Sequence, residues 1–363
     1  MRPTNWTGPA GLLFGVALDL LLGDPRRGHP VAAFGRSASA LERRLYADSR
    51  ARGALFTTLS VATPLLLSRG VSRTVSRFGA GNASCYWTTR RVVGMAVGTW
   101  AVLGGTSLGR EGLAMARALE AGDLEAARAR LPHLCGRDPA GLDAKALARA
   151  TVESIAENTS DAAVAPLVWG AVAGVPGLLA YRAINTLDAM VGYRNPRYLR
   201  FGWASARLDD AANWVPARLT ALLTIACAPV LGGSARRAQE TVRRDGGNHP
   251  SPNAGRCEAA FAGALGVRLG GTNSYGGTIE HRPELGDGHT PEVADIRRAV
   301  RLSRAVTLAA ALSSAGAILL VHAMMDRRAV GGLRAMADRG ARVGRGAVAV
   351  LSGAACRETS EVR

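Results

Sequence analysis

Lysine is almost absent from the chain: Lys145 stands alone among 45 basic residues, and all the others are arginines. Aromatic residues are scarce too, at 5%. With no recognised nucleic-acid motif either, a formal charge of +17 does not point to a nucleic-acid partner. Cys85, Cys135, Cys227, Cys257 and Cys356 include no C-x-x-C pair, so neither a zinc site nor a disulfide framework is indicated. The glycine-rich stretch at 270–277 is not followed by G-K-[ST], which excludes a Walker A loop. No A-x-A pattern precedes Gly23, so the first apolar segment reads as retained, not as a cleaved signal. Acids are missing between Asp48 and Glu111. Such a basic excess suits loops lying on anionic lipid head groups, or a polyanionic substrate.

What the chain does have is uncharged apolar blocks. Residues 54–68, 92–109, 162–181, 219–235 and 305–325 contain no Asp, Glu, Lys or Arg, and 8–22 contains only Asp19. A bilayer-crossing helix needs about 20 mostly apolar residues. The block at 305–325 fits best. The others are short or interrupted by Gly and Pro, which membrane helices tolerate. One block alone could be a buried core helix, but so many in one chain predict an all-α, polytopic membrane bundle of about five or six segments. A single catalytic domain is expected over 1–325, with a basic, mobile tail over 326–363. No internal repeat is visible.

Polar residues gather at the ends of these blocks. Glu153, Glu157 and Asp161 recur at i, i+4 and i+8, one face of a helix, with Asn158 beside them. Three like charges on one face repel unless a cation lies between them, and hard oxygen ligands suit Mg²⁺. The blander reading is a solvated acidic helix end. Next, "YRAINTLDAMVGYRNPRY" places Arg182, Asn185 and Asp188 directly after the apolar run, with Arg194 beyond. This reads as anion clamping by arginine forks, or as an interfacial cap with snorkelling side chains. In "RLDDAANWVPARLT", Asp209 and Asn213 are i, i+4 and Asp210 lies on the adjacent face. That suits metal–phosphate binding, or an ordinary acidic helix start facing the dipole.

Two further stretches carry polar residues among turn formers. His249, Ser251 and Asn253 precede a helix-like run, and "GGTNSYGG", with Asn273, offers backbone N–H groups for an anion cradle or is a plain turn. In "LDLLLGDPRRGHPV", Asp19 lies within an apolar segment, a costly placement that marks a functional hypothesis. Asp24 and His29 follow it.

Taken in order, "DLLLGDPRRGHPV", "GRDPAGLD", "VESIAENTSDAAVAPLVW", "YRAINTLDAMVGYRN", "FGWASARLDDAANWVPARL" and "HPSPNAGRCEAAFAGALGVRLGGTNSYGG" resemble the CobD/CbiB family of cobalamin biosynthesis, from about Asp19 to Tyr275. The resemblance implies an integral membrane adenosylcobinamide-phosphate synthase of the cell (cytoplasmic) membrane. It implies amide ligation of (R)-1-amino-2-propanol, or its O-phosphate, to the free propionate of adenosylcobyric acid. ATP and Mg²⁺ are the implied co-substrate and cofactor, and cobalt enters only within the corrinoid. Other membrane-bound cobalamin-assembly enzymes are possible partners.

On this reading Glu153, Glu157, Asn158 and Asp161 hold Mg²⁺–phosphate, and Asp209, Asp210 and Asn213 form a second metal or amine site. Glu157, Asp161, Asp188 and His249 are the catalytic candidates, His249 as general base. Asp24, His29, Arg182, Asn185, Arg194, Asn253 and Asn273 bind substrate. Two other classes stay open: a membrane phosphotransferase on a lipid or isoprenyl diphosphate, and a corrinoid permease or structural subunit. Six full spans would put 182–214 opposite 23–53, 110–160 and 236–303. One site therefore requires 162–181 to be broken or re-entrant.

Overall fold

The computed structural model describes residues 6–24, 28–77, 84–275 and 278–358. Side chains are described throughout these except at 71–77, 84–87, 273–275, 278–280 and 328–358. The described helices run in the order α1 Thr7–Leu22, α2 Pro30–Leu45, α3 Arg50–Arg77, α4 Ser84–Val102, α5 Gly105–Glu120 and α6 Leu124–Arg130. They continue with α7 Ala144–Thr159, α8 Ala165–Val191, α9 Trp203–Ala212, α10 Trp214–Cys227, α11 Ala235–Asp245, α12 Ala254–Leu265 and α13 Val293–Glu358. The all-helical expectation holds but for one antiparallel hairpin, β1 Leu269–Tyr275 with β2 Thr278–Leu285, built from the stretch expected to be a glycine-rich turn. The chain divides into two compact units, Met1–Gly316 and Ala317–Arg363. In the expected tail the backbone is helical as far as Glu358.

By length and composition, Thr88–Glu120, Ala144–Val191 and Val293–Arg327 are apolar enough to cross a membrane, and Thr7–Leu22 and Trp214–Cys227 are shorter apolar helices. Phe14, Leu21, Leu66, Leu222 and Leu312 point outward from the helices, as a lipid-facing surface requires. Inside, the helices approach through small residues and hydroxyls. Gly11 and Gly15, one turn apart on α1, lie directly on α4, and a Cβ at Gly15 would come 2.4 Å from Thr99 Cβ and 2.7 Å from the Ala96 carbonyl oxygen. This is close small-xxx-small packing of the membrane kind. Thr57–Ser205 at 2.8 Å and Thr159–Ser303 at 2.7 Å add hydroxyl pairs between helices. Gly15→Val is therefore expected to separate α1 from α4 at a cost of about 1–3 kcal/mol. Thermal unfolding in detergent checks this against Gly94→Ala, where an added Cβ meets nothing within 4 Å.

The longest apolar stretch, Ala144–Val191, is not one rod. Gly174 has φ +63° and ψ −150°, a conformation nearly closed to residues with a Cβ, and Pro176 follows it. There the chain turns back on itself. A Cβ on Gly177 would meet the Trp169 carbonyl oxygen at 2.2 Å, and Gly170 lies against Leu178. In a straight helix these pairs would be about 12 Å apart, at 1.5 Å per residue. Residues 161–191 thus form a helical hairpin, and Asn185 on the return arm donates to Asp161 on the outgoing arm at 3.1 Å. From Asp161 to Gly174 the arm rises only about 20 Å, less than the ~30 Å hydrocarbon core. The expected break in 162–181 is present, and both arms begin and end at the same level.

That reversal sets the neighbours of the polar stretches. Phe56 of α3, Leu187 and Val191 of α8, Phe201 and Ala38 of α2 form one buried cluster. Tyr198 donates to Glu42 of α2 at 2.9 Å, and Asn253 donates to the Asp210 carbonyl at 2.8 Å. Segments 23–53, 182–214 and 236–303 therefore meet on one side, not on opposite sides as six full spans would put them.

Candidate active site

The acids begin on α7. Its start is capped by Asp143, whose side chain accepts from the Ala146 N–H at 2.8 Å. Glu153, Glu157 and Asp161 then come round at successive turns. Between α7 and α8 a π-helical turn, Ser160–Val164, inserts an extra residue into the ladder. Such turns often mark functional sites, because they re-aim a side chain and loosen backbone bonding. Here the turn contains Asp161.

Across the hairpin, the Asn185 amide binds Asp161 and also stabilises the charge on Asp209 of α9. Asn213 donates to Asp209 Oδ2 at 2.9 Å, while its amide oxygen accepts from the buried Tyr181 hydroxyl at 2.8 Å. Asp188 stands close enough to Asp209 to repel it. Arg182 reaches the Asn185 oxygen at 3.4 Å and lies in the field of both Asp24 and Asp161. His29 faces Asp24 at 3.6 Å and caps α2 by accepting from Val31 N–H. Residues distant in sequence, Asp24, His29, Glu157, Asp161, Arg182, Asn185, Asp188, Asp209 and Asp210, are thus gathered around the open end of the hairpin.

Several expected ligands are engaged otherwise. Glu153 forms a buried ion pair with Arg137, lies 3.9 Å from Arg149, and accepts from Gly270 N–H at 2.7 Å. The glycine-rich strand does cradle an anion through that N–H, but the anion is the protein's own carboxylate. Asn158 turns back on its helix and donates to Ser154 at 2.9 Å. Asn213 has its one metal-capable atom on Tyr181, so it positions Asp209. Asn253 ties α12 to α9 through Asp210 and accepts from Arg218 at 3.3 Å. Asn273 lies outside the described side chains. Arg194 stands at the exposed end of the segment, within the field of Asp210. Asp19 accepts from the Thr106 N–H and hydroxyl at 3.1 and 3.0 Å, capping α5 from a neighbouring helix, a structural task.

His249 does not match the general base expected of it. Its side chain is 5% exposed, and the Ser251 N–H donates to its Nδ1 at 3.0 Å. Its Nε2 lies 3.8 Å from Glu258 Oε1 and 3.4 Å from the Arg282 guanidinium, so both ring nitrogens face protein groups. The buried Glu258 and Arg137 and the half-buried Arg149 and Arg282 stand around Glu153 and Glu157, and sequence reasoning missed all four. Glu258 lay within the quoted "NAGRCEAAF" and Arg137 within "GRDPAG", so both were inside recognised motifs without being singled out. Burial, with repulsion from Glu153 and Glu157, pushes Glu258 well above the usual carboxylate range, against the pull of Arg282 and Arg137.

Burial and the nearby Asp188 likewise raise Asp209 to about 7, opposed by the Asn213 and Asn185 hydrogen bonds, and burial raises Asp210. The sign follows from proton counting. The folded protein holds a proton on Asp209 that the unfolded chain releases near pH 4, so stability falls as pH rises from about 4 to 7. In metal-free buffer the melting temperature is expected to drop over that range, and Asp209→Asn to flatten the drop and melt higher at pH 8. Calorimetry from pH 5 to 8 checks this.

The donor set suits a hard cation. It is all oxygen, Asp209 Oδ1 is buried without a hydrogen-bond donor, and Arg182, in the field of Asp161, has its Nε buried and unpaired. Among the described residues no three His, Cys, Asp or Glu side chains are close enough to enclose a metal by themselves. A cation completed by substrate phosphate, the usual Mg²⁺ arrangement, fits these residues.

The sequence profile of the CobD/Cbib protein family matches residues 12–303. The chain belongs to the CobD/CbiB family. It is 55% identical over 305 residues to "Cobalamin biosynthesis protein CobD" of Mycobacterium tuberculosis, covering 84% of this chain and 94% of that protein. A protein of the same description from Geobacter metallireducens is 47% identical over 298 residues, covering 81% and 91%. One from Rhodobacter capsulatus is 39% identical over 307 residues, covering 81% and 92%. No solved structure matches. The family match spans every element around the hairpin and ends within α13, so the site described here lies wholly inside the CobD/CbiB region.

Proposed function

We propose that this cobalamin-biosynthesis protein is an amide-forming ligase, embedded in the cell membrane by several helices. It joins (R)-1-amino-2-propanol, or its O-phosphate, to the free propionate of adenosylcobyric acid. The observation that carries this reading is the convergence of Glu157, Asp188 and Asp209 on Asp161, with Asn185 bonded to both Asp161 and Asp209 and Arg182 reaching Asn185.

A carboxylate resists attack by an amine until one of its oxygens is made a leaving group. Mg²⁺-ATP, when bound, supplies the phosphoryl group for that activation and offsets its charge. On the protein, Glu157 and Asp161 are the oxygen donors that would hold the cation, and Arg182 takes the propionate or phosphate through its unpaired Nε–H. The acidic floor attracts the substrate ammonium. Asp209, poised near pH 7, removes a proton from it so that the nitrogen lone pair can attack. Asn185 and Asn213 hold Asp209 in place.

The test is a reconstituted assay. Purified protein in lipid receives adenosylcobyric acid, Mg²⁺-ATP and either amine, and products are read by mass spectrometry. A new amide that requires ATP supports the ligase and identifies the amine. Folded protein that makes no amide with either amine, but moves corrinoid across vesicles, would replace it with the permease.

A further inference from the structure

Beside the carboxylate cluster lies an open cavity of about 620 Å³. It is lined by the start of α3, the connection after α8 and the first turns of α9. Three guanidiniums, of Arg50, Arg194 and Arg207, stand around it with Tyr193, Tyr198 and Trp203, and Asp210 is its one acid.

The aromatic walls are held in place. Trp203 Nε1 donates to the Arg50 carbonyl at 3.0 Å, with the Arg50 guanidinium 6.0 Å from the ring centre. Tyr198 donates to Glu42 at 2.9 Å. Rings fixed by their polar ends stack a planar ligand with little loss of freedom on binding. The charge balance is strongly positive. Asp210, 3.9 Å from Arg207 and in the field of Arg194, is one acid against three arginines, so the cavity wall keeps a positive surplus. Fixed rings plus a surplus of forked cations fit a ligand with a flat base at one end and a chain of phosphates at the other. Size agrees: the volume lies within the ~300–1,000 Å³ usual for small-molecule sites, which accommodates a nucleotide. Position agrees as well. Asp210 adjoins Asp209 in α9, so phosphates seated on the arginines extend towards the acids.

We propose that this cavity is the nucleoside triphosphate site, with the base on Trp203 and Tyr198 and the polyphosphate on Arg50, Arg194 and Arg207. The assignment rests on the ligase reading for its role and deepens it by placing the nucleotide on this chain without a Walker loop. Exposed Leu199 beside the arginines makes an anionic lipid head group the other source of phosphate.

The test measures Mg²⁺-AMPPNP binding to the full-length protein in detergent by calorimetry, without corrinoid. Arg194→Gln and Arg207→Gln are each expected to weaken binding about ten- to a hundredfold, as for a lost charged hydrogen bond. Trp203→Leu should abolish nucleotide quenching of tryptophan fluorescence. Arg236→Gln, on an exposed α11 ion pair, should bind as wild type. Unchanged nucleotide affinity in both arginine variants overturns the proposal. So does wild-type protein that ignores the nucleotide but binds phosphatidylglycerol vesicles through the same arginines. Amide formed with ATP at an unaltered KM in Arg207→Gln sinks the pocket and leaves the ligase. Nucleotide bound here with no amide made sinks the ligase and leaves the pocket.

Discussion

Asp161→Asn is expected to fold, to melt above the wild type, and to make amide about 10²- to 10³-fold more slowly, the cost of removing one preorganised charge at a reacting centre. Each part follows from the geometry. The amide is isosteric and keeps an oxygen to accept from Asn185, so the hairpin contact at 3.1 Å survives. Asp161 feels repulsion from Asp209, Glu157 and Asp188 together, and neutralising it relieves all three. A residue whose loss both stabilises the protein and stops it working is one retained for function. Thermal unfolding and the mass-spectrometric assay on the same preparation check both halves. A variant that melts lower and still turns over would show that Asp161 only braces the π-helical turn.

Arg137→Met should be among the most destabilising single changes, at about 3–5 kcal/mol, because it leaves a buried carboxylate without its partner. Arg137 is 4% exposed and forms its ion pair with Glu153, itself shielded. Arg149 at 3.9 Å and the Gly270 N–H remain, but neither replaces a buried contact ion pair. Loss should spread, since Glu153 lies near both Glu157 and Glu258. Adding Glu153→Gln is expected to recover most of the loss. Denaturant unfolding of the two variants measures it, and an equally unstable double variant would place the cost in the packing of the arginine stem.

The helical, membrane-like class was legible because apolar runs free of charge constrain a chain locally. So was the composition of the site: Glu157, Asp161, Asn185, Asp188 and Asp209 stand out by spacing and by their place at block ends. What spacing could not reveal is who neutralises whom. Glu153, Glu157 and Asp161 share one face, yet Glu153 is tied to Arg137 sixteen residues earlier and to a strand more than a hundred residues later. His249, attractive as a lone histidine among turn residues, has Nδ1 committed to the Ser251 N–H. Asp19, costly in an apolar segment, caps a helix that offers no cap of its own.

By itself, then, the sequence determined the material of this protein: a helical membrane bundle, family membership written in six ordered motifs, and a stock of acids, amides and arginines at segment ends. Each depends on interactions between residues a few positions apart. Tertiary structure alone decided their use. One reversal at Gly174 carries Asn185 back to Asp161 and brings the stretch 182–214 to the same side as the other polar segments. The pairing of charges in a poorly solvated interior is settled by which helices pack together, a long-range outcome that no local periodicity encodes.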